Sequence, residues 1–557
     1  MLEVAGDNVK TFPMDHHGII ASVCIDLKIA ERINACLGVR ENRVVSPGHA
    51  VVAMILNGLG FTNRRLYLTP QFFQSKPVER LLGIPIQASD LNDYTLGHTL
   101  DEISEYGSSN LFGTVAFGIA MENNLLGKVN HLDTTSLSVT GEYKSSELDT
   151  PEPATLQLKH GHSKDFRPDL KQAVLSLVVN GPSNMPIWME ALSGNSSDKA
   201  SFHETIRKVK AFQKQLDISS DAKWVADSAL YTADKLLANP DYLWLTRVPE
   251  TVGKARDWVS HPDAEIAWIQ HDEGYKFVEA ESQHGGMLQR WLLVYSDQAY
   301  LREKKTLERN LEKKEVLLKK EIWHLGNKEF GCEKDAENEV RKLAKQYPLY
   351  HITCQVLPIL KHEGKGKPIA GAAPSVKGYK VDLILEKNES AVEEILNRKG
   401  RFILATNDMD KVGFTSERML TEYKNQQKVE GGFRFLKDPW FMVDSVFLKS
   451  EQRIESLMMV MTLCLLVYNV AQYSLRKRLA DTGDTLPNQL DKEVQNPTLR
   501  WIFQIMEGMG VLHFYEGEQT KPVRELVTNM SALRRKIIQL FGPTACEMHA
   551  VNPKNGV

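Results

Sequence analysis

The sequence is poor in cysteine, and its six cysteines (Cys24, Cys36, Cys332, Cys354, Cys464 and Cys546) never form a CxxC pair. That spacing excludes the usual zinc sites and a disulfide framework, and it fits a reducing compartment. No basic stretch followed by an apolar run opens the chain, so no secretory leader is expected. The most apolar run, 457–470, falls short of the roughly 20 residues a membrane span needs and reads as a buried helix. A cytoplasmic protein with no membrane partner is expected. Excess charge of one sign is also lacking: 68 Lys and Arg stand against 71 Asp and Glu, a formal charge of −3. Nothing global draws such a chain to nucleic acid, so binding of that kind rests on local basic clusters. There is no internal repeat and no low-complexity segment.

What is present is a chain of 557 residues, 42% hydrophobic and 25% charged, enough for a large core in three or more structural units. Residues 1–125 read as a helical domain. Ser46-Pro47 is a helix start, and Val51, Val52, Met54, Ile55 and Leu59 follow at helical spacing. Arg64 and Arg65, in a connecting stretch of that domain, are candidate DNA contacts. From 126 to 249 the pattern turns α/β. KVNHLDTTSLSV reads as a strand with Asp133 near its middle, and strands at 172–179 and 186–192 follow. A helix carrying Phe202, Ile206, Val209, Phe212 and Leu216 comes next, then a short strand ending at Asp227.

Residues 250–398 interrupt this layout with strands and a charged helical hairpin. Between 302 and 320 eight Lys or Arg face four Glu, so that helix is locally basic. A Gly-rich loop beyond it carries Lys361, Lys365, Lys367, Lys377 and Lys380, a context able to follow a phosphate backbone. The α/β pattern resumes over 399–480 with a strand at 402–406, and 481–557 reads as helical.

Residues 423–437, YKNQQKVEGGFRFLK, then stand out. On one helix Tyr423, Gln426, Glu430 and Lys437 project within about 60° of one another, leaving Val429, Phe433 and Leu436 to pack it down. With Asp133 and Asp227 this gives three carboxylates, two on strands and one on a later helix, that one fold can gather. Clustered carboxylates repel unless protonated or shared by divalent cations, and hard oxygen ligands select Mg²⁺ or Mn²⁺. Two such ions activate an attacking hydroxyl and stabilise the leaving oxygen in phosphodiester displacement.

The order of Asp133 in HLDTTSLSV, Asp227 in VADSALYT and Glu430 in YKNQQKVEGGFRFLK resembles the DDE transposases of bacterial insertion sequences. Within them the chain is similar to the insertion-sequence-four superfamily, in the branch numbered sixteen thirty-four. NGLGFTNRRLYLTPQFFQSKPVERLLG, SKDFRPDLKQ and the RIES helix starting at Arg453 extend the resemblance over nearly the whole chain. It implies an α/β catalytic core of ribonuclease-H-like type with an inserted α+β region, flanked by N-terminal and C-terminal helical regions. It further implies two Mg²⁺ or Mn²⁺ ions held by Asp133, Asp227 and Glu430, cleavage at the element's ends, and 3′-hydroxyl attack on target DNA. Tyr423 and Lys437 would hold phosphates near the cut. Gln426 stands where the family signature has Arg, so a charge-assisted contact is lost while a hydrogen-bond donor remains. Double-stranded DNA bearing the element's terminal inverted repeats, target DNA, and a second copy of the chain on paired ends are the implied partners. A catalytically silent end-binding protein and a stand-alone metal-dependent nuclease are the other readings.

Overall fold

Ser46 lies in extended backbone and its hydroxyl accepts the His49 N–H, while Pro47 presets the first turn, so a helix starts there. The computed structural model describes residues 9–61, 66–140, 156–164, 166–218, 221–238, 241–271, 274–362, 373–438, 448, 450–516 and 521–552. Arg64, Arg65, Lys365 and Lys367 lie outside the described residues. The chain divides into two compact units, Met1–Thr246 with Arg418–Val557, and Arg247–Glu417.

The first unit opens with a strand, β1 (Val9–Pro13), then the helices α1 (His17–Asp26), α2 (Ile29–Leu37), α3 (Pro47–Gly58), α4 (Asp93–Tyr106) and α5 (Ser108–Glu122). Strands β2 (Val129–Val139), β3 (Lys171–Asn180) and β4 (Met185–Ser193) form an antiparallel meander. The helix α6 (Asp198–Gln215) then crosses to β5 (Lys223–Ala226), which pairs parallel with β2, and β6 (Trp244–Arg247) pairs parallel with β5. The order in this unit is β4-β3-β2-β5-β6, a mixed sheet. β3 is buried along nearly its whole length, which is why it is a continuous apolar run rather than an alternating one.

The second unit builds an antiparallel sheet from β7 (Ile269–His271), β8 (Tyr275–His284), β9 (Met287–Ser296) and the strand Arg401–Thr406, in the order Arg401–Thr406, β9, β8, β7. A long helix, α7 (Asp297–Gly326), and α8 (Glu333–Gln346) lead to a ribbon of β10 (Tyr350–Lys361) and β11 (Ser375–Lys387). Arg401–Thr406, β12, pairs antiparallel with β9, Arg401 opposite Tyr295 through Thr406 opposite Arg290. Arg290 is fully buried, makes a two-pronged contact with Glu279 at 2.8 and 3.0 Å, and donates to the carbonyls of Asp408, Asp410 and Phe414. Burial alone would raise the Glu279 carboxyl, but hydrogen bonds from Arg290 and Ser416 outweigh it and hold the group below its ordinary value.

The chain re-enters the first unit through α9 (Ser416–Lys424), α10 (Gln427–Leu436) and α11 (Glu451–Thr482). By length and composition α11 is apolar enough to span a membrane, yet 83% of its most apolar window is buried inside the fold. It is the core helix of this unit, packed on α3, α4 and α5 and on β4. Arg453 grips Asp101 of α4 through two bonds of 2.7 Å, and the Ser456 hydroxyl donates to the Leu100 carbonyl. The C-terminal region is not all helical as expected: Gly510–Phe514 pairs with β1 on one side and Arg524–Thr528 on the other.

His16, His17 and His549 are buried in that unit. His16 Nε2 donates to the Leu59 carbonyl at 2.9 Å, and its ring stacks on His17 and on Phe503. Burial pushes His16 and His549 down to about 4 and His17 well below its ordinary value. As pH falls, the unfolded chain takes up these protons before the folded one. Stability from these rings is therefore whole above pH 6.5 and declines between there and about 4, by on the order of 3 kcal/mol for a ring held at about 4. Thermal unfolding followed across that interval checks this, and a midpoint independent of pH would overturn it. In the second unit, Arg290→Met should cost about 3–5 kcal/mol, because it strands a mostly buried carboxylate. A denaturant midpoint unchanged by that substitution would contradict the assignment.

Candidate functional site

Asp133 and Asp227 come together through backbone register. β2 and β5 run parallel with Val129 opposite Lys223, Asn130 opposite Trp224 and His131 opposite Val225. Asp133 lies two residues beyond His131 on β2, and Asp227 two residues beyond Val225, just past the end of β5. The Asp133 side chain is 16% exposed. Its Oδ1 accepts the Thr134 N–H at 2.7 Å. Asp227 begins a short 3₁₀ turn and accepts the Ala229 N–H at 2.9 Å, while its carbonyl receives the Thr246 hydroxyl at 2.6 Å. Both carboxylates are thus half-buried and oriented by local backbone.

Glu430 lies on α10, which packs on β2 and β3. The expected single helix over 423–437 is two: α9 ends at Lys424, and bonds from Gln426 N–H to the Tyr423 carbonyl and from Val429 N–H to the Gln426 carbonyl tighten the junction. Tyr423 and Glu430 therefore sit on different helices, and Lys437 caps the end of α10. Tyr423 and Lys437 are half-buried and Glu430 is exposed.

Gln426 requires a correction. Expected on a DNA-facing stripe, it is buried, its amide nitrogen donates to the Leu132 carbonyl at 2.9 Å, and its oxygen faces His131 Nδ1 at 3.3 Å. Both ends of the amide are engaged inside the fold, anchoring the α9–α10 junction to the strand one residue before Asp133. Burial pushes His131 down to about 4 against the opposing Gln426 hydrogen bond, and Lys428 nearby lowers it further. A neutral amide beside a neutral ring suits this pocket, where a guanidinium would be desolvated. His131 and Asp133 are two residues apart on a strand and share a face, so α10 is delivered to the face that Asp133 presents.

Gly432 explains the close seating of α10. A Cβ there would meet Leu465 Cδ2 of α11 at 3.0 Å and Leu177 Cδ2 of β3 at 3.9 Å. Nothing in the structure explains Gly431, which faces open space.

Sequence reasoning missed two residues of this site. Lys164 Nζ lies 4.0 Å from Asp133 Oδ1 and donates to the Thr134 carbonyl at 2.6 Å and hydroxyl at 3.1 Å. It stands 31 residues from Asp133 in SKDFRPDLKQ, and no periodicity links the two. His131 was findable, because a strand puts i and i+2 on one face. Among the described residues, no three His, Cys, Asp or Glu side chains are placed to hold a metal ion together.

A family model described as a domain of unknown function (DUF4277) matches residues 9–117. Among curated proteins, none matches this chain. Of solved structures, a piggyBac transposase synaptic complex with hairpin DNA is 9% identical with a TM-score of 0.36, covering 89% of this chain and 82% of that one. A Mos1 transposase paired-end complex with the left transposon end is 12% identical with a TM-score of 0.14, covering 35% of this chain and 57% of that one.

Gln426→Ala would leave the Leu132 carbonyl and His131 Nδ1 without this partner, at a cost of about 1–3 kcal/mol. Chemical denaturation checks this, and an unchanged midpoint would mean that the amide does not hold the helix to β2.

Proposed function

We propose that the chain is a DDE-type transposase of a bacterial insertion sequence, with a ribonuclease-H-like core in its first unit. The observation that carries this reading is the parallel pairing of β2, which bears Asp133, with β5, whose end is followed directly by Asp227, within a sheet of order β4-β3-β2-β5-β6. Carboxylates within one strand and just after the end of its neighbour are hard donors suited to Mg²⁺ or Mn²⁺. Asp133, Asp227 and Glu430 would hold the ions, which when bound lower the barrier to phosphodiester displacement by charge stabilisation.

The chain's own groups then have definite tasks. Thr134 N–H and Ala229 N–H orient the two aspartates, and Gln426 sets the height of the α10 backbone over β2. Glu430, one helical turn beyond Gln426, is the acid that closes on the pair when DNA is seated. Tyr423 and Lys437 flank it as phosphate contacts. The substrate in this reading is double-stranded DNA carrying the element's ends, bound by a homodimer in the bacterial cytoplasm at the nucleoid. Cleavage is followed by attack of the freed 3′-hydroxyl on target DNA.

The competing reading is a silent end-binding protein that keeps the fold without cleavage. Cleavage of a labelled DNA carrying the element's own end, with Mg²⁺ or Mn²⁺, separates the two. Asp133→Asn, Asp227→Asn and Glu430→Gln should each bind that DNA yet cut it roughly 10²–10³-fold more slowly than the natural protein. Binding without cutting by the natural protein, with both metals tried, would hand the case to the silent reading.

A further inference from the structure

The helix α7 has two faces of opposite character. Its inner side carries Leu311 and Leu318, buried against Leu343, Tyr350 and Val392, and the Tyr350 hydroxyl donates to the Leu311 carbonyl at 2.8 Å. These contacts fix the helix's rotation within the second unit. At roughly 100° per residue, Arg302, Lys305, Arg309, Lys313, Lys319 and Lys320 then fall within about 60° of one outward line. All six are exposed, and Glu312 is the one acid on that line.

Of the remaining glutamates, Glu315 neutralises one member of the line, pairing with Lys319 at 2.7 Å, while Glu303 pairs with Lys399. Arg302, Lys305, Arg309, Lys313 and Lys320 have no ion-pair partner among the described residues. From Arg302 to Lys320 the line runs about 27 Å, the length of about 8 base pairs. In a chain of formal charge −3, that is a concentrated cationic strip on a rigid rod.

We propose that this face of α7 lies along the phosphate backbone of double-stranded DNA. The inference rests on the reading of the chain as a DNA-processing enzyme and adds to it the element that tracks the duplex outside the reacting carboxylates. Phosphates are the complementary partner because they present negative charge at regular intervals along a line, whereas a second copy of α7 would set cation against cation.

The test is fluorescence anisotropy of the full chain with a labelled duplex across a salt series. Lys305→Gln/Arg309→Gln/Lys313→Gln is compared with Arg341→Gln/Lys342→Gln/Lys345→Gln, which removes as many exposed cations from α8. The α7 variant should bind about tenfold or more weakly and lose up to about 3 from the slope of log affinity against log salt, while the α8 variant stays close to the natural protein. Equal affinity and slope in all three would overturn the α7 assignment and leave the transposase reading standing. Failure of the natural protein to bind duplex would overturn both. Unchanged DNA binding by the α7 variant, with lost binding to phosphatidylserine vesicles, would reassign the strip to a lipid surface.

Discussion

The parallel pairing of β2 with β5 is the constraint on which the site depends. Three backbone pairs end at His131 opposite Val225, two residues before Asp133 on β2 and two before Asp227 just past β5. Parallel strands need a crossover, and α6 supplies it with its own apolar stripe, Phe202, Ile206 and Val209 fully buried. Slippage of that pairing by one residue would turn one aspartate to the opposite face of the sheet while the other stayed. The chemistry of the site is thus secured by main-chain hydrogen bonds and by packing far from either carboxylate.

Around that pairing the first unit is closed by α11, where the early and late parts of the chain meet. Its buried length packs against α3, α4 and α5, and the Arg453–Asp101 contact ties its first turn to α4. The same helix supports α10 from beneath through Leu465. One core helix therefore carries both the N-terminal helices and the acid-bearing helix, which is why these regions do not separate into independent bodies.

Local signals made much of this legible in the sequence. The meander and crossover followed from β-branched runs and from the spacing of Phe202, Ile206 and Val209, and α11 from its apolar stretch. Asp133 and Asp227 were singled out because an acid inside or at the end of a strand needs a reason. What escaped was non-local. Nothing in 423–437 marks the break between α9 and α10, since Gln426 keeps helical dihedrals there and its role comes from Leu132 and His131, nearly 300 residues earlier. The strand Gly510–Phe514 was read as helix because its partners, Val9–Pro13 and Arg524–Thr528, include one from the far end of the chain. Lys164 reaches Asp133 only because the chain folds back along β2.

Gly432 carries a consequence for how such a site is tuned. With Leu465 only 3.0 Å from where a side chain would begin, the helix rests on its support as a plate rests on a shim of zero thickness. A side chain added at that point would have to displace the end of Leu465 or raise α10 from its support, so the seating of the helix that bears Glu430 depends on a residue with no functional group of its own.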